Sequence, residues 1–154
     1  MSESVTGRAL GIRASCPPSM EALPADDGVE LVLARRDNTP DQFRPNLVVT
    51  ATASTETIQA MSTVAMATAL ASAEGTHLLS CDVRRHTVLG DGRRIEFAYL
   101  SGTDAVCVTQ WVFAAGGYEI SATASRTVDQ VLVTDTTFDW IVDTLRLPSG
   151  TEGS

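Results

Sequence analysis

Residues 93–126 decide the fold, and they read RRIEFAYLSGTDAVCVTQWVFAAGGYEISATASR. Three segments of this stretch, residues 95–99, 105–113 and 118–124, alternate between apolar and other side chains, a period of two that is typical of β-strands. Short Gly-containing turns separate the segments. The pair Gly116-Gly117 indicates a tight hairpin, because primed turns need positive φ angles. We therefore predict an antiparallel meander at the centre of the fold.

The middle segment of this meander predicts what lies on either side of the sheet. Its two faces are both apolar, with Val106, Val108 and Val112 on one and Cys107, Trp111 and Phe113 on the other. A strand that is apolar on both faces is expected to be covered on both faces. One helix is predicted at about residues 55–73 and a second between Thr136, as its capping residue, and Pro148. The predicted fold class is α+β, an antiparallel β-sheet sandwiched between helices.

The rest of the chain is assigned around this sandwich as a single domain. Residues 1–8 are expected to be a disordered lead-in, residues 9–148 the domain, and residues 149–154 a frayed tail. Further strands are predicted within residues 9–16, 29–35, 47–53 and 76–89, with a turn at residues 90–92 and a loop or short extended piece at residues 129–134.

Composition limits the classes of partner. The chain has 154 residues and a formal net charge of −8, which disfavours nucleic acid and anionic membranes because both require a basic surface. No stretch approaches the roughly 20 apolar residues of a membrane span, and no secretory signal is evident at the N-terminus. The cysteines, Cys16, Cys81 and Cys107, are odd in number and lack CxxC spacing, which is typical of reduced thiols. We expect a soluble cytoplasmic protein without membrane insertion.

Residues that carry chemistry are sparse. The sequence contains no GxSxG, Walker, GxGxxG, HExxH or Cys/His zinc pattern. The two histidines, His77 and His86, lie nine residues apart on one predicted strand, so we expect them to face opposite sides unless a bulge intervenes. We therefore predict no metal site, no cofactor, no catalytic residues and no enzymatic activity.

Four residues are the candidates for binding a partner or ligand: Arg44, Asn46, Trp111 and Trp140. Arg44 and Asn46 belong to the string Phe43-Arg44-Pro45-Asn46, which also fits a strand entry whose polar side chains satisfy loop backbone. Trp111 fits either a pocket wall or the core. Trp140 is offset from the apolar stripe of its helix, which makes it the better exposed aromatic.

The sequence also resembles the actinobacterial LpqN/LpqT family. The resemblance lies in residues 31–36, 43–50, 93–99, 108–113 and 138–147, and it spans roughly residues 9–148. It implies a PsbP-like fold, a curved antiparallel sheet between helices, and a non-enzymatic binding or accessory protein. Many LpqN-like proteins carry a signal peptide and an acylated cysteine, whereas Cys16 follows no apolar stretch here. That difference favours a cytoplasmic location.

Two functions follow from these observations. The first is an accessory protein that binds another protein through a sheet edge or the loop ends of the sandwich, as a monomer or a homodimer. The second is a small-ligand carrier with a cleft between helix 55–73 and the sheet, near Trp111. The first predicts an exposed apolar patch, and the second predicts an enclosed cavity.

Overall fold

The computed structural model describes residues 1–148, which form strands and two α-helices; the predicted tail, residues 149–154, lies outside the described residues. The strands are β1 Glu3–Thr6, β2 Arg13–Cys16, β3 Met20–Leu23, β4 Leu31–Arg35, β5 Asn46–Ala53, β6 His77–His86, β7 Gly90–Ser101, β8 Asp104–Ala115 and β9 Tyr118–Thr127. The helices are α1 Ile58–Ser72 and α2 Val131–Asp143, and a single 3-10 turn, Val128–Gln130, precedes α2.

Seven strands form one antiparallel sheet in the order β3-β4-β5-β9-β8-β7-β6, and β1 pairs with β2 in a separate two-stranded sheet. The predicted meander is confirmed as β7-β8-β9, with hairpins at Ser101–Asp104 and at Gly116-Gly117. Gly116 and Gly117 have φ angles of 60° and 82°. Left-handed backbone of this kind favours glycine, as the hairpin prediction required.

Each face of the sheet packs against one helix, so the predicted helix–sheet–helix sandwich is confirmed. Val106, Val108 and Val112 pack in a cluster with Met61 and Ala69 of α1. On the opposite face, Trp111 and Phe113 pack in a cluster with Phe138, Ile141 and Val142 of α2. Alternation along β8 therefore sends side chains to two separate cores, which is why both faces of that strand are apolar.

The N-terminal segment differs from its prediction. Residues 1–8 were expected to be disordered, but Glu3–Thr6 form β1, which pairs with β2 from Glu3↔Cys16 to Thr6↔Arg13. Backbone hydrogen bonds extend this anchoring, because the N–H of Gly7 donates to the Ile12 carbonyl at 2.6 Å and that of Arg8 donates to the Glu30 carbonyl at 3.0 Å. Val5 packs against the α2-side core. Pairing to a later segment thus orders a stretch whose own composition is polar.

Two boundaries also differ. The predicted loop at residues 129–134 is wrong, because the 3-10 turn and the first turn of α2 occupy it, and Thr136 lies inside the helix rather than capping it. The turn predicted at residues 90–92 lies earlier, since Gly90 already begins β7. The α1 helix is capped by Thr57, whose side-chain oxygen accepts a hydrogen bond from the Ala60 N–H at 3.1 Å.

None of the helices within residues 1–148 is both long enough and apolar enough to cross a membrane.

Candidate functional site

The α2 helix presents an apolar face to solvent as well as one to the core. Thr134, Phe138, Ile141 and Val142 are buried and face the sheet. At 3.6 residues per turn, Leu132, Val133, Thr136 and Trp140 fall on the opposite side of the helix. Leu132 is 94% exposed, Val133 is 63% exposed and Trp140 is 42% exposed. A surface helix ordinarily places polar residues in these positions.

A groove runs beside this face of α2. It has a volume of about 510 Å³, and its walls are Trp140, Thr136 and Thr137 on α2 and the pair Pro17-Pro18 after β2, together with Met1 and Ser2. We call Leu132, Val133, Trp140, Pro17 and Pro18 the α2 surface. Large exposed apolar residues that lie together mark interaction sites more often than isolated ones do.

Specific hydrogen bonds hold the start of α2 in place. The Gln130 side chain accepts a hydrogen bond from the Thr127 N–H at 3.0 Å and donates one to the Phe43 carbonyl at 2.8 Å. The Thr134 hydroxyl donates to the Gln130 carbonyl at 2.9 Å. Gln130 is buried although it lies at the entry to the helix. This anchoring fixes which face of α2 points outward.

A buried arginine fixes the helix against the sheet. Arg126 at the end of β9 is 3% exposed, and its guanidinium donates to both carboxylate oxygens of Asp135, at 2.8 Å and 3.0 Å. It also donates to the Thr109 hydroxyl at 2.8 Å and the Cys107 carbonyl at 3.2 Å. A bidentate pair of this kind fixes orientation as well as distance. The α2 surface therefore sits on a rigid helix.

The charge along α2 is acidic. Residues 127–145 contain four aspartates and no lysine or arginine. Asp135 is paired with Arg126, and Asp143 is paired with Arg84. Asp129 and Asp139 make no ion pair within the described part of the chain. Burial raises the pKa of Asp139, while the nearby guanidiniums of Arg94 and Arg84 act in the opposite direction.

Two of the four predicted site residues hold a loop together. Arg44 pairs with Glu21 of β3 and donates from Nε to the Arg35 carbonyl at 2.8 Å. The Asn46 amide donates to the Arg44 carbonyl at 3.1 Å. These contacts connect the β4–β5 loop to β3, and they match the strand-entry alternative considered for this string.

The two tryptophans are in different environments. Trp111 is 1% exposed, and the Arg94 guanidinium lies 5.8 Å from the centre of its ring. Its indole nitrogen finds no hydrogen-bond partner among residues 1–148. Trp140 lies in the α2 surface. The structure thus brings Trp140 to an exposed apolar groove and keeps Trp111, Arg44 and Asn46 away from it.

The cleft predicted for a small ligand is an open groove rather than an enclosed cavity. A groove of about 290 Å³ lies between α1 and the sheet, with Thr50, Phe97, Gln110 and Ser121 on the sheet side. Trp111 does not contribute to it, because neighbouring residues of a strand face opposite sides and Trp111 points to the α2 core. The placement of that cleft near Trp111 was therefore wrong.

The histidines do not form a metal site. A bulge between Leu78 and Ser80 interrupts the β6–β7 register, so His77 and His86 pair with Ala98 and Gly90, an even number of residues apart. Both histidines therefore share one face, contrary to the expectation for an unbroken strand. They stand at opposite ends of β6. Within residues 1–148 no three His, Cys, Asp or Glu side chains come together as metal ligands would.

Comparison with known proteins identifies the architecture. No protein-family model matches the sequence, and no curated protein matches it. The cyanobacterial PsbP protein CyanoP from Synechocystis sp. PCC 6803 superposes with a TM-score of 0.68 at 17% identity, over 95% of this chain and 92% of CyanoP. The fold is PsbP-like. The fold expected from the sequence resemblance is confirmed.

Two further solved structures share the PsbP-like fold. LpqN of Mycobacterium tuberculosis, which is involved in cell envelope biogenesis, matches with a TM-score of 0.69 at 12% identity, over 96% of this chain and 91% of LpqN. The Ran-binding protein Mog1p of Saccharomyces cerevisiae matches with a TM-score of 0.65 at 9% identity, over 99% of both chains. At sequence identities this low, structural similarity shows a shared fold only. The function has to be argued from the residues of this chain.

Leu132, Val133, Pro17 and Pro18 were missed as site residues. Leu132 and Val133 were missed because the predicted start of the second helix was too late, and a loop at residues 129–134 gives them no particular face. The sequence does contain a signal for the earlier start. Val131, Asp135, Phe138 and Val142 continue the helical spacing of the predicted stripe one turn further toward the N-terminus. Pro17 and Pro18 join the surface only through tertiary packing.

Proposed function

We propose that this protein is a non-enzymatic accessory protein that binds another protein through the α2 surface. The observation that carries the proposal is the exposure of Leu132, Val133 and Trp140 on one side of a helix whose other side is fully packed. Removing such side chains from water on binding is favourable, by roughly 25 cal/mol per Å² of apolar area. A rigid helix also loses little conformational freedom when it binds.

The shape and charge of the α2 surface favour a particular kind of partner. The groove beside Trp140 accepts an apolar side chain of the partner, with Pro17 and Pro18 as its opposite wall. The carboxyl groups of Asp129 and Asp139 flank the exposed face, and the chain carries a net charge of −8. We therefore expect a partner segment that has apolar side chains with lysine or arginine beside them.

A PsbP-like fold supports a binding role by analogy only. Mog1p, which shares the fold, is a Ran-binding protein, and Ran binding is a property of Mog1p that is not transferred to this chain. The absence of a metal-ligand cluster among residues 1–148 and of catalytic motifs in the sequence gives no reaction to assign. We propose a cytoplasmic location, supported by three free cysteines, Cys16, Cys81 and Cys107, which fit a reducing compartment.

Affinity capture with matched variants tests this proposal. The tagged chain, expressed at native level, is purified from the cytosolic and membrane fractions of its host, and the bound proteins are quantified by mass spectrometry. Val133→Glu places a charge in the α2 surface. Val64→Glu is the control, because Val64 is 64% exposed on α1, on the other face of the sheet, and Val133 is 63% exposed.

We expect a partner recovered in stoichiometric amounts from the cytosolic fraction with the wild type and with Val64→Glu. Val133→Glu should reduce its recovery by at least about tenfold, since a carboxylate in place of an apolar side chain must lose its bound water on binding, at a cost of more than about 1.4 kcal/mol. Thermal unfolding of both variants establishes that they are folded. Equal recovery of every stoichiometric partner by the two variants would overturn the proposed binding surface. Recovery of the chain from the membrane fraction alone would overturn the proposed location.

A further inference from the structure

The β6 strand forms one edge of the seven-stranded sheet. It pairs with β7, and the topology places no strand on its other side within residues 1–148. The bulge between Leu78 and Ser80 divides it into an irregular beginning and a regular part, residues 80–86. An edge strand exposes a row of unpaired N–H and C=O groups that a further strand can bond. Native proteins cover or disrupt such edges, but here the regular part is seven residues long.

The side chains of this regular part are arranged about Val83. Val83 is the middle residue of seven and is 62% exposed. Asp82 precedes it and Arg84 follows it, and both lie on the α2 side of the sheet because they pair with Arg94 and Gly92 of β7. Asp82 makes no ion pair within the described part of the chain. Arg84 pairs with Asp143 of its own chain.

We infer that a second copy of this chain pairs with β6 in antiparallel fashion, with the two-fold axis at Val83. In this register Val83 lies opposite Val83 of the second copy, and Asp82 lies opposite Arg84 twice by symmetry. The two-fold axis of such an antiparallel pair is perpendicular to the sheet, so the α2 side of one copy continues as the α2 side of the other. Residues directly opposite each other therefore point to the same face, and the axis must pass through a residue position rather than between two positions. The result is a continuous sheet of fourteen strands, twice the seven of one chain.

Neighbouring registers are disfavoured by like charges or by the bulge in β6. Centring the contact on Asp82 places two carboxylates opposite each other, and centring it on Arg84 places two guanidiniums opposite each other. Centring it on Cys81 brings the bulged residues Leu78 and Leu79 into the pairing. The Val83 register alone sets opposite charges face to face and uses only the regular part of β6. In this register the charges of one β6 strand complement those of an identical β6 strand. This complementarity is the reason to infer a second copy of the chain as the partner at this edge.

Charge reversal tests the contact. Dimerisation of the wild type, Asp82→Arg and Arg84→Asp is measured by sedimentation velocity over a range of concentrations. We expect the wild type to dimerise, and each single variant to raise the dimer dissociation constant by at least about tenfold, because two attractive cross-strand pairs become repulsive. An equimolar mixture of the two variants should restore association, since positions 82 and 84 are then both arginine in one chain and both aspartate in the other.

A matched control and a second measurement complete the test. Asp37→Arg makes the same charge change as Asp82→Arg in the exposed loop after β4 and should leave the dimer intact.

If Arg84→Asp impairs folding through loss of the Asp143 pair, a cysteine at the centre of the contact provides an independent measurement. Val83→Cys, made together with Cys81→Ser, should form an intermolecular disulfide with oxidised glutathione, because directly opposite Cα atoms lie within disulfide range.

A wild type that stays monomeric at the highest soluble concentration would overturn the inference. A dimer unaffected by both charge reversals would overturn it as well, since the contact would then lie elsewhere. The β6 edge and the α2 surface are separate proposals. Val133→Glu should leave dimerisation unchanged, so failure of one does not imply failure of the other.

Discussion

His86 is a buried histidine with both ring nitrogens bonded. Its Nδ1 accepts hydrogen bonds from the N–H groups of Val88 at 3.1 Å and Leu89 at 3.0 Å. The proton therefore resides on Nε2, which donates to the Val142 carbonyl at 2.8 Å. The ring also meets Phe113 edge to face at 5.3 Å between centroids. A second proton on Nδ1 would break two backbone hydrogen bonds that secure the β6–β7 turn.

This geometry predicts a pH-dependent stability. Burial lowers the pKa of His86, and the nearby Arg146 and Arg84 lower it further, whereas the Val142 carbonyl and Asp143 act to raise it. The folded state keeps the ring neutral, while the unfolded state takes up a proton near pH 6.5. The free energy of unfolding should therefore decrease as the pH falls below about 6.5, where the ring of the unfolded chain takes up its proton.

Urea unfolding at several pH values checks this prediction. His86→Gln removes the titrating group and should reduce the slope of the free energy of unfolding against pH. His77→Gln is the control, because His77 is exposed, and it should keep the slope of the wild type. Identical slopes in the wild type and His86→Gln would show that another group is responsible.

Gly92 is a second residue whose identity the packing dictates. It lies in β7 opposite Phe113, and a Cβ added there would come 2.4 Å from the Val112 carbonyl oxygen and from the Phe113 ring. We expect Gly92→Ala to lower the free energy of unfolding by about 1–3 kcal/mol, the usual cost of overpacking. Asp91→Ala, at the exposed preceding position, is the control in urea unfolding. Equal stability of Gly92→Ala and the wild type would contradict the close packing of β7 on β8.

At the scale of single residues, the sequence predicts environment better than role. The alternation along β8 correctly places Trp111 and Val112 on opposite faces. It does not say which helix covers which face, and so the cleft between α1 and the sheet was predicted near Trp111, which faces α2 instead. That information depends on the path of the chain between distant elements. The exposed position of Trp140 was predictable, because its offset from the apolar stripe is a local property.

At the scale of elements, the largest error concerns the start of α2. The sequence predicts Thr136 as the capping residue, because an acidic residue, Asp139, follows three positions later. The chain instead enters α2 through the 3-10 turn, with Gln130 bonded to the Thr127 N–H and to the Phe43 carbonyl. Phe43 is 87 residues away in sequence. A contact at that separation is not visible in the local pattern, although the helical spacing from Val131 onward is. Without the correct start of the helix, Leu132 and Val133 have no predicted face.

The β1 strand shows the same limit. Its residues are mostly exposed and polar, and alone they carry no strand signal. Pairing with β2 and packing of Val5 on the core supply the stability that the segment itself lacks. Elements with internal periodicity, such as β7, β8, β9 and α1, were predictable. Elements stabilised chiefly by partners elsewhere in the chain were not.

At the scale of the whole molecule, the sandwich followed from one strand that is apolar on both faces. The order of the sheet did not follow, because β9 pairs with β5, which lies far earlier in the chain. That pairing places β4 and β3 beyond β5 and leaves β6 as the opposite edge. The fold class was therefore predictable from alternation, whereas the edge strand and the α2 surface required the three-dimensional arrangement.

Site-specific photocross-linking shows directly whether the α2 surface contacts a protein partner. A photoreactive phenylalanine derivative replaces Leu132, which is 94% exposed, or Val64 on the opposite helix as the control. After illumination in host cells, we expect one dominant cross-linked protein from position 132, the same protein that affinity capture recovers, and none of that adduct from position 64. An adduct from position 64 together with none from position 132 would show that the partner binds elsewhere.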